Sequence, residues 1–557
     1  SPLLLCGESC QIGEESVMSG PETLIWLVIA AFVLTVPLVS FARRVGVSYP
    51  IVLVSAGLVL GFAPGLPRVQ LDPDLVLVIF LPPLLFWESI TAPTDVMRAN
   101  ARWITSLAIG LVIATTGVVA VVAHAVIPGV AWPMAFVLGA IVAPTDELAS
   151  APVLERLRMP RHLVAVVEGE SLLNDASSLI LYATAVAAVV TGAFNPGIAV
   201  LQFFGSAIGG ALLGVACAWL AIETWRRVRD VDLQPVVAFT LPFLTYALAM
   251  RFAVSGVLAV VAAGIVASRF TPFVLVPRAR MRGADFYEAT VFLANSILFL
   301  LLGLQLRIVG ATVLREYAWW SVLAYAAAIN VTIITLRFGW FVLLEYVPWF
   351  GGEGKYSEPS VRRALVASWS GLRGAVSLAA ALAIPVTVAG GAGVPNRDLV
   401  IFLTFSVILV TLVGGGLTLP SVVRALKIPA GDDEEAEELR TALTAMSRSA
   451  HERLRALERE GHITAADAAA LARHYASRRR LPGAPVDRDE QRRFAAEREV
   501  LLAERTALLK LRNDGGMDNM VLRRIVHSLD IAEEAITVDD SPLLPREALG
   551  DRMDGSR

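Results

Sequence analysis

The sequence predicts an all-α polytopic membrane protein, with about thirteen transmembrane helices in an inverted repeat, two interrupted crossing helices and a cytoplasmic helical tail. Three observations lead there. Of 557 residues, 56% are hydrophobic and 17% charged, and the mean hydropathy is +0.64. Apolar runs recur at about 20 residues, the length a helix needs to cross the hydrocarbon core. Two of these runs are broken near their middles by proline or glycine, the sequence sign of an inverted repeat with a binding site at the bilayer midplane.

The spans centre near residues 33, 57, 82, 114, 142, 176, 211, 243, 261, 296, 330, 375 and 411. The first, Leu24 to Phe41, is longer than a signal-peptide core and has no small-residue cleavage site after it. Residues 1–22 are expected outside the cytoplasm. Within them, residues 1–17 read as neither helix nor strand, and Met18-Ser-Gly-Pro-Glu makes a natural start. One alternate set of connections is crowded with basic residues: Arg43, Arg44, Arg98, Arg102, the Arg156–Arg161 and Arg226–Arg229 groups, Arg269, Arg278–Arg282, Lys355, Arg362, Arg363, Arg424 and Lys427. The other set holds Arg68, Arg251, Arg307, Arg315 and Arg397. Lys and Arg concentrate in cytoplasmic loops, so the N-terminus is placed outside and the tail inside a cell (inner) membrane.

The transmembrane part covers residues 23–428. After Pro429 the composition turns to Gly-Asp-Asp-Glu-Glu and then to polar, Ala- and Arg-rich sequence, so residues 429–557 form a cytoplasmic helical domain, regulatory or dimerising. Leu454 and Leu457, and later Leu501, Leu502, Leu508 and Leu509, supply apolar stripes. Pro482-Gly483 and the stretch Asn513 to Met517 break the helices.

Chemistry concentrates inside the membrane. Ser171, Asn174, Asp175 and Ser178 stand at i, i+3, i+4 and i+7, one side of a helix, with Glu170 about 100° round from Ser171. An ionised side chain at mid-bilayer costs roughly 2.5–3.5 kcal/mol on insertion scales, which makes an intramembrane Asp a candidate ion or proton site. In the preceding span, Ala143-Pro-Thr-Asp-Glu147 places Thr145 and Asp146 beside Pro144, whose missing N–H frees neighbouring carbonyls for a hard cation. A plainer alternative stays open for Asp146 and Asp175: buried acids that hold helices together. For Glu170, a structural pair with the permanently charged Arg373 of a distant span is favoured over ion ligation. Arg373 sits in Ser368-Trp-Ser-Gly-Leu-Arg-Gly-Ala-Val-Ser377, where Gly371 and Gly374 allow an unwound centre. Glu88 and Arg337 are further candidates.

Several classes are set aside. Asp146 and Asp175 lack the Gly-x-Gly-Asp context of an intramembrane aspartyl protease. His124 and His162 belong to no metal-ligand motif, and Cys6, Cys10 and Cys217 form no metal or redox motif, though an outward Cys6–Cys10 disulfide is left open. No P-loop, other nucleotide motif or nucleic-acid surface is present, and no cofactor is called for.

Four stretches resemble bacterial sodium/proton antiporters of the monovalent cation:proton antiporter-1 family: Phe80-Leu-Pro-Pro-Leu-Leu-Phe86, Gly169-Glu-Ser-Leu-Leu-Asn-Asp-Ala-Ser177, Asn295-Ser-Ile-Leu-Phe-Leu-Leu-Leu-Gly-Leu-Gln305 and Gly371-Leu-Arg-Gly-Ala-Val-Ser377. The resemblance covers about residues 23–425. It implies a core domain moving against a dimerisation domain in a homodimer, and Asp175 as carrier of cation and proton. It also implies sodium held at Asp175, Asp146, Thr145 and Ser171 beside Asn174, with Glu170–Arg373 as the structural ion pair. The chain departs from the family at two places. Pro144 precedes Thr145 where the family usually writes Thr-Asp-Pro, with Glu147 in the proline's place, and Trp87 follows Leu-Leu-Phe where many members have Glu, so Glu88 comes one residue late.

The activity so implied is electroneutral exchange of one monovalent cation, sodium foremost, for one proton by alternating access. Burial disfavours a bare carboxylate charge and a nearby cation favours it, so proton and sodium exclude one another at Asp175. A potassium/proton antiporter is the near alternative, with lithium also open as cargo. A cation channel or ion-sensing receptor on the same fold is the alternative from another class.

Overall fold

The computed structural model describes residues 21–62, 78–147, 150–157, 159–192, 196–347, 360–388, 391–427 and 432–478, with residues 500 and 504. The segment holding Cys6 and Cys10, the basic residue Lys355 and the tail features from Pro482 to Met517 lie outside the described residues, save residues 500 and 504. By its internal contacts the chain divides into two compact units, Ser1–Pro429 and Ala430–Arg557.

Among the described residues the first unit is built from helices. In chain order these are α1 (Pro21–Val45), α2 (Tyr49–Gly61), α3 (Leu81–Thr91), α4 (Ala101–Val126) and α5 (Trp132–Val142). A short helix, Ala151–Arg156, precedes α6 (Arg161–Thr191), α7 (Pro196–Arg227), α8 (Leu233–Arg251), α9 (Gly256–Val274), α10 (Pro277–Glu316) and α11 (Trp319–Tyr346). Two half-spans, α12 (Val361–Trp369) and α13 (Ala375–Leu382), lead to α14 (Arg397–Leu426). Eight of the described helices are long and apolar enough to cross a membrane. On α7, Leu201, Phe204, Ile208 and Leu212 are exposed at the spacing of helical turns, an apolar stripe suited to lipid.

The breaks follow from local chemistry. Helix α5 stops at Val142 because Pro144, two residues on, has no N–H to continue the ladder. Between α12 and α13 the chain is non-helical from Ser370 to Gly374. The two breaks meet: the Asp146 N–H donates to the Leu372 carbonyl at 2.7 Å, an isolated antiparallel bridge. A wide π-type turn at Leu409–Gly415 inside α14 brings the Thr411 hydroxyl to accept from the Arg373 N–H at 3.2 Å. Backbone groups freed by the breaks therefore find partners inside the protein, as burial in a membrane demands.

Helix α10 is seated on α2 by close backbone approach. A Cβ at Gly303 would collide with the Val54 carbonyl, and one at Gly57 with the Leu300 carbonyl, so small residues let the two helices touch. Buried apolar side chains gather in two main clusters, one including Val54, Leu138, Ile141, Phe299 and Phe405, the other Phe86, Leu111, Trp225 and Phe341.

The second unit, as described, contains α15 (Asp432–Arg459) and α16 (Ala465–Arg478). Its second helix opens on a reciprocal cap: the Thr464 hydroxyl donates to Asp467 Oδ2 at 2.6 Å, and the Asp467 N–H donates back to the Thr464 hydroxyl at 3.2 Å. Hydrogen bonds from the Thr464 hydroxyl and N–H hold the Asp467 carboxyl below the usual carboxylate range.

Candidate functional site

The Ser171-to-Ser178 stripe faces the first break. Ser178 donates to the Ala140 carbonyl of α5 at 2.8 Å and Ser171 to the Thr145 carbonyl at 2.9 Å. Asn174 Nδ2 donates to the Thr145 hydroxyl at 2.8 Å, and that hydroxyl donates to Glu170 Oε1 at 3.3 Å. The stripe therefore fastens α6 to the residues that Pro144 takes out of the helix.

A cavity of about 30 Å³ lies at this junction. A water needs roughly 10–15 Å³ measured in this way, so the space suits a small ion with little water. Leu81, Leu84, Leu85, Pro144 and Val376 make its apolar wall, and its polar lining comes from Glu88, Thr145, Asp146, Ser171, Asp175, Asn295 and Ser377, with Gly374 between. Asp175 and Ser171 are buried, 7% and 5% exposed. Ser171 spends its proton on a carbonyl, which leaves its oxygen lone pairs available to a cation. The Thr145 hydroxyl already accepts from Asn174 and donates to Glu170, so it has one acceptor site left. Glu88, although one residue late in the family pattern, reaches the cavity.

The two glycines of the second break make room for charged groups. A Cβ at Gly374 would occupy the place of the Asp146 carboxylate, and a Cβ at Gly371 that of the Arg337 guanidinium. Asp146 thereby lies beside the N-terminus of α13, where unpaired N–H groups favour negative charge.

The expected Glu170–Arg373 pair is corrected. Glu170 is held by Arg337 of α11, with Nη1 on Oε1 and Nη2 on Oε2 at 2.9 Å. Arg337 also donates through Nε to the Ser368 carbonyl at 3.0 Å and stands 5.0 Å from the Phe341 ring centroid. Arg373 instead donates to the Val142 carbonyl at 3.3 Å and the Gly371 carbonyl at 2.6 Å. The physical reason is that both breaks expose carbonyls beside Arg373, whereas α11 presents a planar fork that matches Glu170 in two hydrogen bonds.

Asn295 was missed as a site residue, although it opens one of the four recognised stretches. It is fully buried and lines the cavity from α10. Its signal in the sequence was the Asn295-Ser296 pair inside an otherwise apolar run from Val291 to Leu302.

The family model described as sodium/hydrogen exchanger, transmembrane, matches residues 28–425. An uncharacterised Na+/H+ exchanger of Mycobacterium tuberculosis is 34% identical over 549 residues, covering 94% of this chain and 97% of the relative. A sodium, potassium, lithium and rubidium/H+ antiporter of Bacillus subtilis is 33% identical over 383 residues, 67% of this chain and 57% of the relative. In fold, the chain is similar to the sodium proton antiporter of Methanocaldococcus jannaschii, with a TM-score of 0.57 at 18% identity over 74% of this chain and 100% of that one.

Proposed function

We propose a function from one premise, that the chain belongs to the sodium/hydrogen exchanger family. It exchanges a monovalent cation, sodium foremost, for a proton across the cell membrane. The observation that carries this reading is the small cavity in which Asp175, Asp146 and Ser171 converge where two broken helices cross. A bare carboxylate is costly there, and either a proton or a cation relieves the cost, so the two compete for Asp175. Asp146 and Ser171 supply further oxygens, which suit a hard cation. Thr145 and Asn174 hold the break against α6, and the Thr145 hydroxyl keeps an acceptor site for the ion.

The cavity opens alternately to each side, and the core crosses readily only when Asp175 is neutralised. Asn174 beside Asp175 adds no second charge, which supports one cation for one proton. The Lys and Arg bias of the connections supports an outside N-terminus and a cytoplasmic tail. A cysteine placed in α15 should then react with an impermeant thiol reagent only after the membrane is opened. A homodimer is carried over from the family resemblance, and native mass spectrometry should find twice the chain mass.

The test is proton flux in proteoliposomes of purified protein across sodium, lithium and potassium salts. Saturable, cation-dependent proton movement is expected, and uncoupled, non-saturating current would favour the channel reading. The broad cation range in the name of the Bacillus subtilis relative makes the potassium arm necessary. Asp175→Asn should abolish exchange, because an amide neither releases the proton nor supplies the charge that binds the cation. Coupled exchange near the wild-type rate in a correctly assembled variant would falsify the carrier assignment.

A further inference from the structure

Two other buried amides among the described residues at least use their N–H groups. Gln234 donates to the Trp225 and Val228 carbonyls and accepts from the Val276 N–H. Asn330 donates to the Ala326 carbonyl one turn back and to the Ser406 hydroxyl. Asn295 does neither. Its side chain is 0% exposed, and both Oδ1 and Nδ2 are buried without a hydrogen-bond partner. Its neighbour Ser296 bonds back to the Phe292 carbonyl at 2.7 Å, so the helix offers such acceptors. Asn295 lines the cavity instead, among Asp146, Ser171 and Asp175.

An unpartnered buried amide is unfavourable. The wall around it already contains Leu81, Leu84 and Leu85, so an apolar residue would fit the surroundings without that penalty. The polarity therefore belongs with an occupant of the cavity. A carboxamide oxygen is a hard, neutral ligand, suited to a monovalent cation whose charge is already balanced by a carboxylate. It also adds an oxygen from a helix that carries none of the other expected ligands.

We infer that Asn295 is a ligand of the transported cation, through Oδ1 directly or across a single water. The inference rests on the exchange proposed above and adds a residue to that site. Asn295→Leu removes both polar atoms while keeping the branched outline of the side chain, at a larger volume. Sodium-driven proton flux should then show half-saturating sodium raised about tenfold, equivalent to about 1.4 kcal/mol, with maximal rate within about threefold of wild type. Asn295→Ser, which restores one oxygen, should recover part of the shift. A merely structural role would lower melting temperature and maximal rate and leave half-saturation unmoved.

A second readout does not need transport. The sodium concentration that raises the melting temperature of the full chain in detergent should increase in Asn295→Leu by the same factor. If wild type moves no protons with sodium but this thermal shift is present and weakened in the variant, the ligand assignment stands and the exchange reading fails. Should wild type exchange normally while the variant leaves both sodium curves unmoved, Asn295 is not a ligand. Where Asn295→Leu fails to assemble, Asn295→Ser decides by the same two curves: a shift supports the assignment and no shift overturns it.

Discussion

Replacing Arg337 by leucine strands Glu170 inside the protein. Both side chains are almost fully enclosed, 3% and 2% exposed, and the guanidinium binds both carboxylate oxygens. Without it, Glu170 retains the Thr145 hydroxyl at 3.3 Å, a long bond from a neutral donor. Breaking a buried pair by removing one partner costs about 3–5 kcal/mol. The lost Arg337 bond to the Ser368 carbonyl acts in the same direction. At roughly 2 °C per kcal/mol, the lower end of the scale for larger chains, the melting temperature should fall by roughly 6–10 °C. Tryptophan fluorescence of the detergent-solubilised protein during heating reads this directly. Glu170→Gln with Arg337→Leu removes both charges and should recover about half of the loss, since a neutral pair is far less costly to bury. Arg373→Leu should also destabilise, by uncovering the Val142 and Gly371 carbonyls, and Glu170→Gln should not rescue it. Stronger coupling of Glu170 to Arg373 than to Arg337 in these double-variant cycles would refute the assignment.

Gly374→Ala sets a methyl group against the Asp146 carboxylate and should raise half-saturating sodium by about tenfold or abolish exchange; wild-type kinetics in this variant would show that the close approach does not exist. Exchange should be indifferent to voltage, because a net charge moved would couple transport to potential by about 2.3 kcal/mol per 100 mV. Sodium-driven flux at several valinomycin-set potentials checks this, and scaling with potential would point to a second titrating acid, with Glu88 in the cavity the first to replace by Gln. In the tail, the cap that lowers the Asp467 carboxyl contributes stability in full above the ordinary Asp value of about 3.9 and loses it as pH falls below that value. Hydrogen exchange at the start of α16 should therefore quicken on acidification and in Asp467→Ala, and identical protection in wild type and variant at neutral pH would remove the cap from the account.

Features written in short stretches of chain were legible in advance. Pro144 cannot donate, so the break after α5 could be read from one residue, and the polar side of α6 followed from the 3.6-residue turn alone. Gly371 and Gly374 marked the second break. Their purpose was not visible, because the guanidinium and carboxylate they admit come from residues 34 and 228 positions earlier in the chain. Glu88 shows the same limit, since rotation about a helix axis is set by what the helix packs against.

What the sequence determined by itself was the membrane class, the positions of the two breaks and the single carboxylate on the α6 stripe, all consequences of hydropathy and backbone chemistry within about a turn or two of helix. Tertiary structure alone decided that Glu170 pairs with Arg337, that Arg373 caps freed carbonyls and that Asn295 reaches the cavity. Two arginines carry the same charge wherever they stand in the chain. Which of them meets a buried carboxylate depends on helix crossings that bring together residues 167 positions apart, and no local pattern records that distance.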